Sequence, residues 1–178
     1  LTGGIVTIIN DGQTLGTSNI SSAANIAAKG NVLIQANTGN VSIAGITTDG
    51  SVTSGAAVSL LAMDDITNAT RAIENSSVNG NVTLQAGRSI TSSNHINSTN
   101  GGAITIRANN PYDISTGVSA SRSTGTAVIT ISGDVGSANN TAFGPVDISI
   151  GNGANLANNT SGTLSLFSVQ GRSINVTS

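Results

Sequence analysis

The sequence predicts an all-β fold: a single-stranded parallel β-helix, or β-solenoid, in which residues 1–178 form one unit wound into three-sided coils. Three observations predict it. Aliphatic residues alternate with polar ones in short runs such as Val82-Thr83-Leu84-Gln85-Ala86 and Ile104-Thr105-Ile106-Arg107-Ala108, the period of a half-buried strand. Between these two runs lie two weaker apolar points, Ile90 and Ile96, set in Gly, Ser, Asn and Thr. Three apolar touches per repeat are what a chain shows when it stacks three-sided coils. Finally, the 178 residues include two Phe, one Tyr and no Trp. That is little aromatic bulk for a globular core of this size but enough for a thin column of Val, Ile, Leu and Ala.

Along the chain, the leading aliphatic pairs are Val6/Ile8, Val32/Ile34, Val58/Leu60, Val82/Leu84, Ile104/Ile106, Ile129/Ile131, Ile148/Ile150 and Leu164/Leu166. They are spaced by 26, 26, 24, 22, 25, 19 and 16 residues. Loops at the corners absorb such differences without disturbing the strands. The expected stack is therefore about eight coils, near 40 Å long at about 4.8 Å per strand. In the middle coils a small residue follows each pair, at Ala36, Ala62, Ala86 and Ala108. Val32, Val58, Val82 and Ile104 are expected to form one inward row, and Ile34, Leu60, Leu84 and Ile106 another.

Gly-Asn and Gly-Gly-Ala phrases introduce most of these strands, supplying the backbone freedom that tight corners need. Stacked Asn-rich corners are expected to build side-chain amide ladders. Helix is poorly supported: the best stretch, Ser22 to Lys29, is too short to stand alone. A step of 24 residues aligns Val58-Leu60-Ala62 with Val82-Leu84-Ala86 without a gap. This sets Ile66 against Ile90 and Asp64 against Arg88, a candidate inter-coil ion pair.

Composition excludes several functions. Charged residues make up 8% of the chain and the formal net charge is -2, so Asn, Ser, Thr and Gly supply the surface. One Lys and five scattered Arg form no basic stripe, which argues against nucleic-acid binding. Without cysteine there is no disulfide, thiolate zinc site or thiol nucleophile. No apolar run is long enough to span a membrane as a helix, and the N-terminus lacks an initiator Met and a signal-peptide pattern. Coil-like sequence runs from Ile5 to Val176 without a polar cap, so the chain reads as a segment of a longer rod whose edges pair with further coils or with copies of itself.

The phrases Gly80-Asn81-Val82-Thr83-Leu84-Gln85-Ala86-Gly87-Arg88-Ser89-Ile90 and Gly101-Gly102-Ala103-Ile104-Thr105-Ile106 resemble the repeats of filamentous-haemagglutinin-like proteins. These are the large exported adhesins of two-partner secretion systems in Gram-negative bacteria. Similar phrasing covers most of residues 3 to 176. The resemblance implies a right-handed parallel β-helix, export across both membranes, display at the cell surface or release as a fibre, and host-cell or matrix receptors as partners. The Asn-Pro-containing secretion signature of that family is not recognisable here, so the segment reads as shaft.

The rival reading is a carbohydrate-processing β-helix, a polysaccharide lyase or glycosidase. Glycoside cleavage by acid and base needs two carboxylates facing each other across the substrate. The one adjacent acidic pair, Asp64-Asp65, lies at a turn. The other acids, Asp11, Asp49, Glu74, Asp113, Asp134 and Asp147, are single and dispersed, as turn residues are. His95 is the one histidine and sits in a polar corner, Ser92-Ser93-Asn94-His95-Ile96, without a nucleophile beside it in sequence. The Gly151-Asn152-Gly153-Ala154-Asn155 run lacks the Gly-Lys-Ser/Thr ending of a phosphate loop. Thr83 and Thr105 align outward, but no Thr-x-Thr motif recurs for an ice-binding face. Asn-x-Ser/Thr triplets at Asn19, Asn68, Asn81 and Asn97 are expected by chance in this composition. No catalytic, metal-binding or cofactor-binding residue is therefore expected, and no cofactor.

Overall fold

The computed structural model describes residues 2–10, 19–48, 54–109, 125–136, 144–151 and 161–178. Among the described residues there is no helix, and every strand pairing is parallel. The strands stack in three columns, an architecture that fits a parallel β-solenoid.

The first column holds β2 (Val6–Asn10), β5 (Val32–Ala36), β8 (Val58–Ala62), β11 (Val82–Ala86), β14 (Ile104–Ala108), β16 (Val146–Ile150) and β18 (Ile174–Thr177), hydrogen-bonded in that order. The second column runs through β3 (Ile20–Ser22), β6 (Val41–Ile43), β9 (Ile66–Asn68) and β12 (Ile90–Ser92), then β15 (Ala127–Val135) and β17 (Ser161–Val169). The third holds β1 (Thr2–Gly3), β4 (Ile26–Ala28), β7 (Ile46–Thr48), β10 (Ile73–Asn75) and β13 (Ile96–Ser98). Nine-residue β15 pairs with β12 at its start and with β13 at Val135, which joins the second and third columns into one sheet.

Why these residues stack follows from the alternation. Val32, Val58, Val82 and Ile104 are register partners, as are Ile34, Leu60, Leu84 and Ile106, and all eight are buried. Ala36, Ala62, Ala86 and Ala108 are also buried at the far end of the same strands. Each fully buried Leu or Ile stabilises the fold by about 1.5–3 kcal/mol. The three-residue strands of the second and third columns each place an Ile or Val at the leading position, such as Ile66, Ile90, Ile73 and Ile96, all 0% exposed. The Ser22–Lys29 stretch runs through β4, with Ile26 and Ala28 buried.

Past Ala108 the leading pairs sort differently from their spacing. Ile129 and Ile131 stack on Ile90 and Ser92, and Leu164 and Leu166 stack on Ile129 and Ile131, so both pairs belong to the second column. The pair above Ile104/Ile106 is Val146/Ile148, which puts Ile150 over Ala108, and Ile174/Val176 follow. Apolar alternation looks alike on any face, so a change of coil length there exchanges one column for another. At the last strand the inward rows open: Ile174 and Val176 are 49% and 42% exposed.

The corner ahead of the first column is built on close approach. Gly4, Gly30, Ala56, Gly80, Gly102 and Gly144 each stand two residues before a first-column strand. A Cβ on Gly80 would lie 2.6 Å from Asn75 Oδ1 and 2.7 Å from the Ala56 carbonyl oxygen, so this corner closes around a residue without a side chain.

Candidate functional site

The side chains with most chemistry sit at the corners, and the corners have a common design. One residue before each of the first four second-column strands stands a side-chain acceptor: Asn19 before Ile20, Asn40 before Val41, Asp65 before Ile66 and Ser89 before Ile90. Each accepts the main-chain N–H of its counterpart in the next coil. Asn40 N donates to Asn19 Oδ1 at 2.9 Å, Asp65 N to Asn40 Oδ1 at 2.9 Å, Ser89 N to Asp65 Oδ1 at 3.0 Å and Val128 N to Ser89 Oγ at 3.1 Å. The first column repeats the device, with Ala57 N donating to Asn31 Oδ1 and Ala103 N to Asn81 Oδ1, both at 2.8 Å. The Asn-rich corners thus form a ladder of side chain to main chain, where the sequence suggested amide to amide.

Arg88 lies in this ladder. Ile66 and Ile90 are register partners and Arg88 N donates to the Asp64 carbonyl at 2.8 Å, so Asp64 and Arg88 do stack. The carboxylate that clasps the guanidinium is nevertheless that of Asp65: Nε donates to Oδ1 at 2.9 Å and Nη2 to Oδ2 at 2.5 Å. Adjacent residues diverge at the corner, leaving the Asp64 side chain buried and bringing Asp65 outward beside Arg88. The hydrogen bond from Asp65 raises the guanidinium above arginine's ordinary range. Burial opposes this, and the charges of Asp65 and Asp64 add to it. The arginine's share of the pair's stability is therefore present throughout the range below its ordinary titration and is lost only as the pH climbs through the raised value in strong alkali.

Asp65→Ala is expected to lower stability by about 1.5–3 kcal/mol, the range for hydrogen bonds to a charged group. Asp65→Asn, whose Oδ1 can still accept from Ser89 N, should lose less. Urea midpoints separate the two, and equal losses would show that the guanidinium, rather than the amide, carries the contact.

A second hub is internal. Asn75, 0% exposed at the end of β10, donates through Nδ2 to the carbonyls of Ala56 at 2.8 Å and Asn81 at 2.9 Å. Its Oδ1 accepts from Thr48 Oγ1 at 2.8 Å and from Ser77 N at 3.1 Å. Both amide atoms are thereby used twice, across two coils and the corner that follows. Buried Asn68 likewise donates to Ser92 Oγ at 3.0 Å, so it is an interior residue despite its Asn-x-Thr triplet.

The remaining acids are dispersed. Asp147 accepts from Arg107 Nη2 at 3.1 Å and from Asn175 Nδ2 at 2.8 Å, across neighbouring strands of the first column. Asp134 meets His95, whose side chain is 53% exposed. Glu74 stands between Thr47 and Asn97 in the third column. Asp11, Asp49, Asp113 and residues 152–155 of the glycine-rich run lie outside the described residues. Among the described residues no three His, Cys, Asp or Glu side chains gather as metal ligands would.

The outward rows are neutral over long distances. On the second column Ser21, Ser42, Thr67, Thr91, Thr130 and Ser165 are successive register partners, one hydroxyl per strand. On the first column Ser59, Thr83 and Thr105 stand in line. No family model matches the chain, and no curated protein or solved structure shows significant similarity to it.

Proposed function

We propose that the chain is a structural shaft or adhesin segment of an exported bacterial fibre protein, secreted or held at a Gram-negative cell surface, without catalysis. The observation that carries this reading is the unbroken outward row from Ser21 to Ser165. A face of short hydroxyls held against a rigid stack offers reach and hydration but little concavity to enclose a substrate. The pairing of charges between coils agrees with it: Arg88 and Arg107 each spend their charge on a neighbouring strand or corner. In this reading the coils wind right-handedly as a three-sided solenoid of about eight turns, near 40 Å long, like the filamentous-haemagglutinin-like repeats that the sequence resembles. Its partners are further coils of the same phase or copies of itself end to end. Host-cell or matrix receptors would meet its sides.

Incubation with acidic and neutral polysaccharides, together with sedimentation over a range of concentrations, tests the proposal. No sugar release and concentration-dependent association are expected. Release of reducing or unsaturated sugars, abolished by Asp64→Asn or Asp65→Asn, would replace the shaft by the carbohydrate-processing reading. A strictly monomeric chain at high concentration would remove self-association alone.

A further inference from the structure

We propose that His95 is a proton-operated joint between β13 and β15. Its Nδ1 lies 3.0 Å from the main-chain nitrogen of Asp134, which donates to it, and 3.1 Å from Asp134 Oδ2. A ring nitrogen presents either a lone pair or an N–H, never both. When the imidazole is neutral with its proton on Nε2, Nδ1 accepts the Asp134 amide, the role that Asn40 and Asp65 play one column away. When Nδ1 takes a proton from solvent, it becomes a donor. The Asp134 carboxylate receives that proton in a hydrogen bond, and the Asp134 amide loses its acceptor.

The joint lies where a single side chain counts most. β13 and β15 share one register pair, Ile96 with Val135, backed by Gly136 N to the Ile96 carbonyl at 2.9 Å. β10 and β13 share three such pairs. The ionisable side chain paired with His95 is Asp134. From β10, Glu74 faces Asn97, and Ile73 N donates to the His95 carbonyl at 3.0 Å. From β17, Ser168 is the partner that reaches Asp134. Protonation of Nδ1 thus trades a ladder bond for an ion pair here and leaves the rest of the ladder intact.

Amide hydrogen exchange followed by NMR on the full chain tests this. Corrected for intrinsic exchange, protection of the Asp134 amide is expected to fall about fivefold, the value of one hydrogen bond, on going from about pH 8 to about pH 5. In His95→Asn, whose carboxamide oxygen keeps the acceptor, it should stay constant. The chain has one histidine, so the 15N shift of Nδ1 gives a second reading without any variant: acceptor-type at the higher pH, N–H at the lower. An Nδ1 protonated at both pH values, or the same loss of protection in His95→Asn, would overturn the proposal.

Discussion

Leu84→Asp is expected to abolish cooperative unfolding of the chain. Leu84 is 0% exposed and stands between Leu60 and Ile106, so a carboxylate there would meet aliphatic carbon above and below. An unpaired charge left in such surroundings costs about 3–5 kcal/mol or more, on top of the loss of about 2–5 kcal/mol that Leu84→Ala should show. Together these match the whole stability of an ordinary domain, about 5–15 kcal/mol. The new carboxyl would have a raised pKa in the folded state, because burial disfavours its charged form. The penalty is therefore full above that raised value, shrinks as the pH falls from it toward the ordinary carboxylate range, and is gone below that range. Circular dichroism at neutral and acid pH, with Leu84→Ala as the comparison, reads both effects. A cooperative Leu84→Asp transition at the wild-type urea midpoint would refute the inward row.

Asn75→Ala should cost about 3–5 kcal/mol, because it strands several groups at once and each buried orphan is worth about 1–3 kcal/mol. The Ala56 and Asn81 carbonyls lose their donor, while Thr48 Oγ1 and Ser77 N lose their acceptor. Asn75→Asp, nearly identical in shape, should be at least as damaging, since a carboxylate oxygen would face two carbonyl oxygens in place of the amide NH2 donor. Urea midpoints at constant slope measure both. A loss below about 1 kcal/mol in both variants would mean that water repairs the corner and that Asn75 is not its clasp.

The first column was legible in the sequence because β5, β8, β11 and β14 each carry an inward aliphatic pair followed by Ala, enough to show the alternation. The second and third columns were faint. Ile66-Thr67-Asn68, Ile90-Thr91-Ser92, Ile73-Glu74-Asn75 and Ile96-Asn97-Ser98 each offer one aliphatic residue and then turn a polar side chain inward. A buried Asn reads as surface until its partners are known, which is why Asn75 did not stand out. The signal was present in the recurrence of Ile-x-Asn and Ile-x-Ser. Similarly, the partner of Arg88 could have been found from offset alone. Asp65 precedes Ile66 as Asn40 precedes Val41 and Ser89 precedes Ile90, whereas charge and gapless alignment favoured Asp64. After Ala108 the steps in the first column grow to 42 and 28 residues, and a reading based on a near-constant period had no means of following the change.

The corner ladder gives the stack a direction. In every rung the acceptor belongs to the earlier coil and the amide to the later one: Asn19 serves Asn40, Asn40 serves Asp65, Asp65 serves Ser89, Asn31 serves Ala57 and Asn81 serves Ala103. A lost acceptor therefore orphans an amide in the coil that follows and none in the coil before. Removing the Asn40 carboxamide strips a partner from Asp65, while Asn40 itself remains tied to Asn19. Damage in such a rod is inherited downstream, and a chain delivered N-terminus first would meet each acceptor already waiting in the coil just laid down.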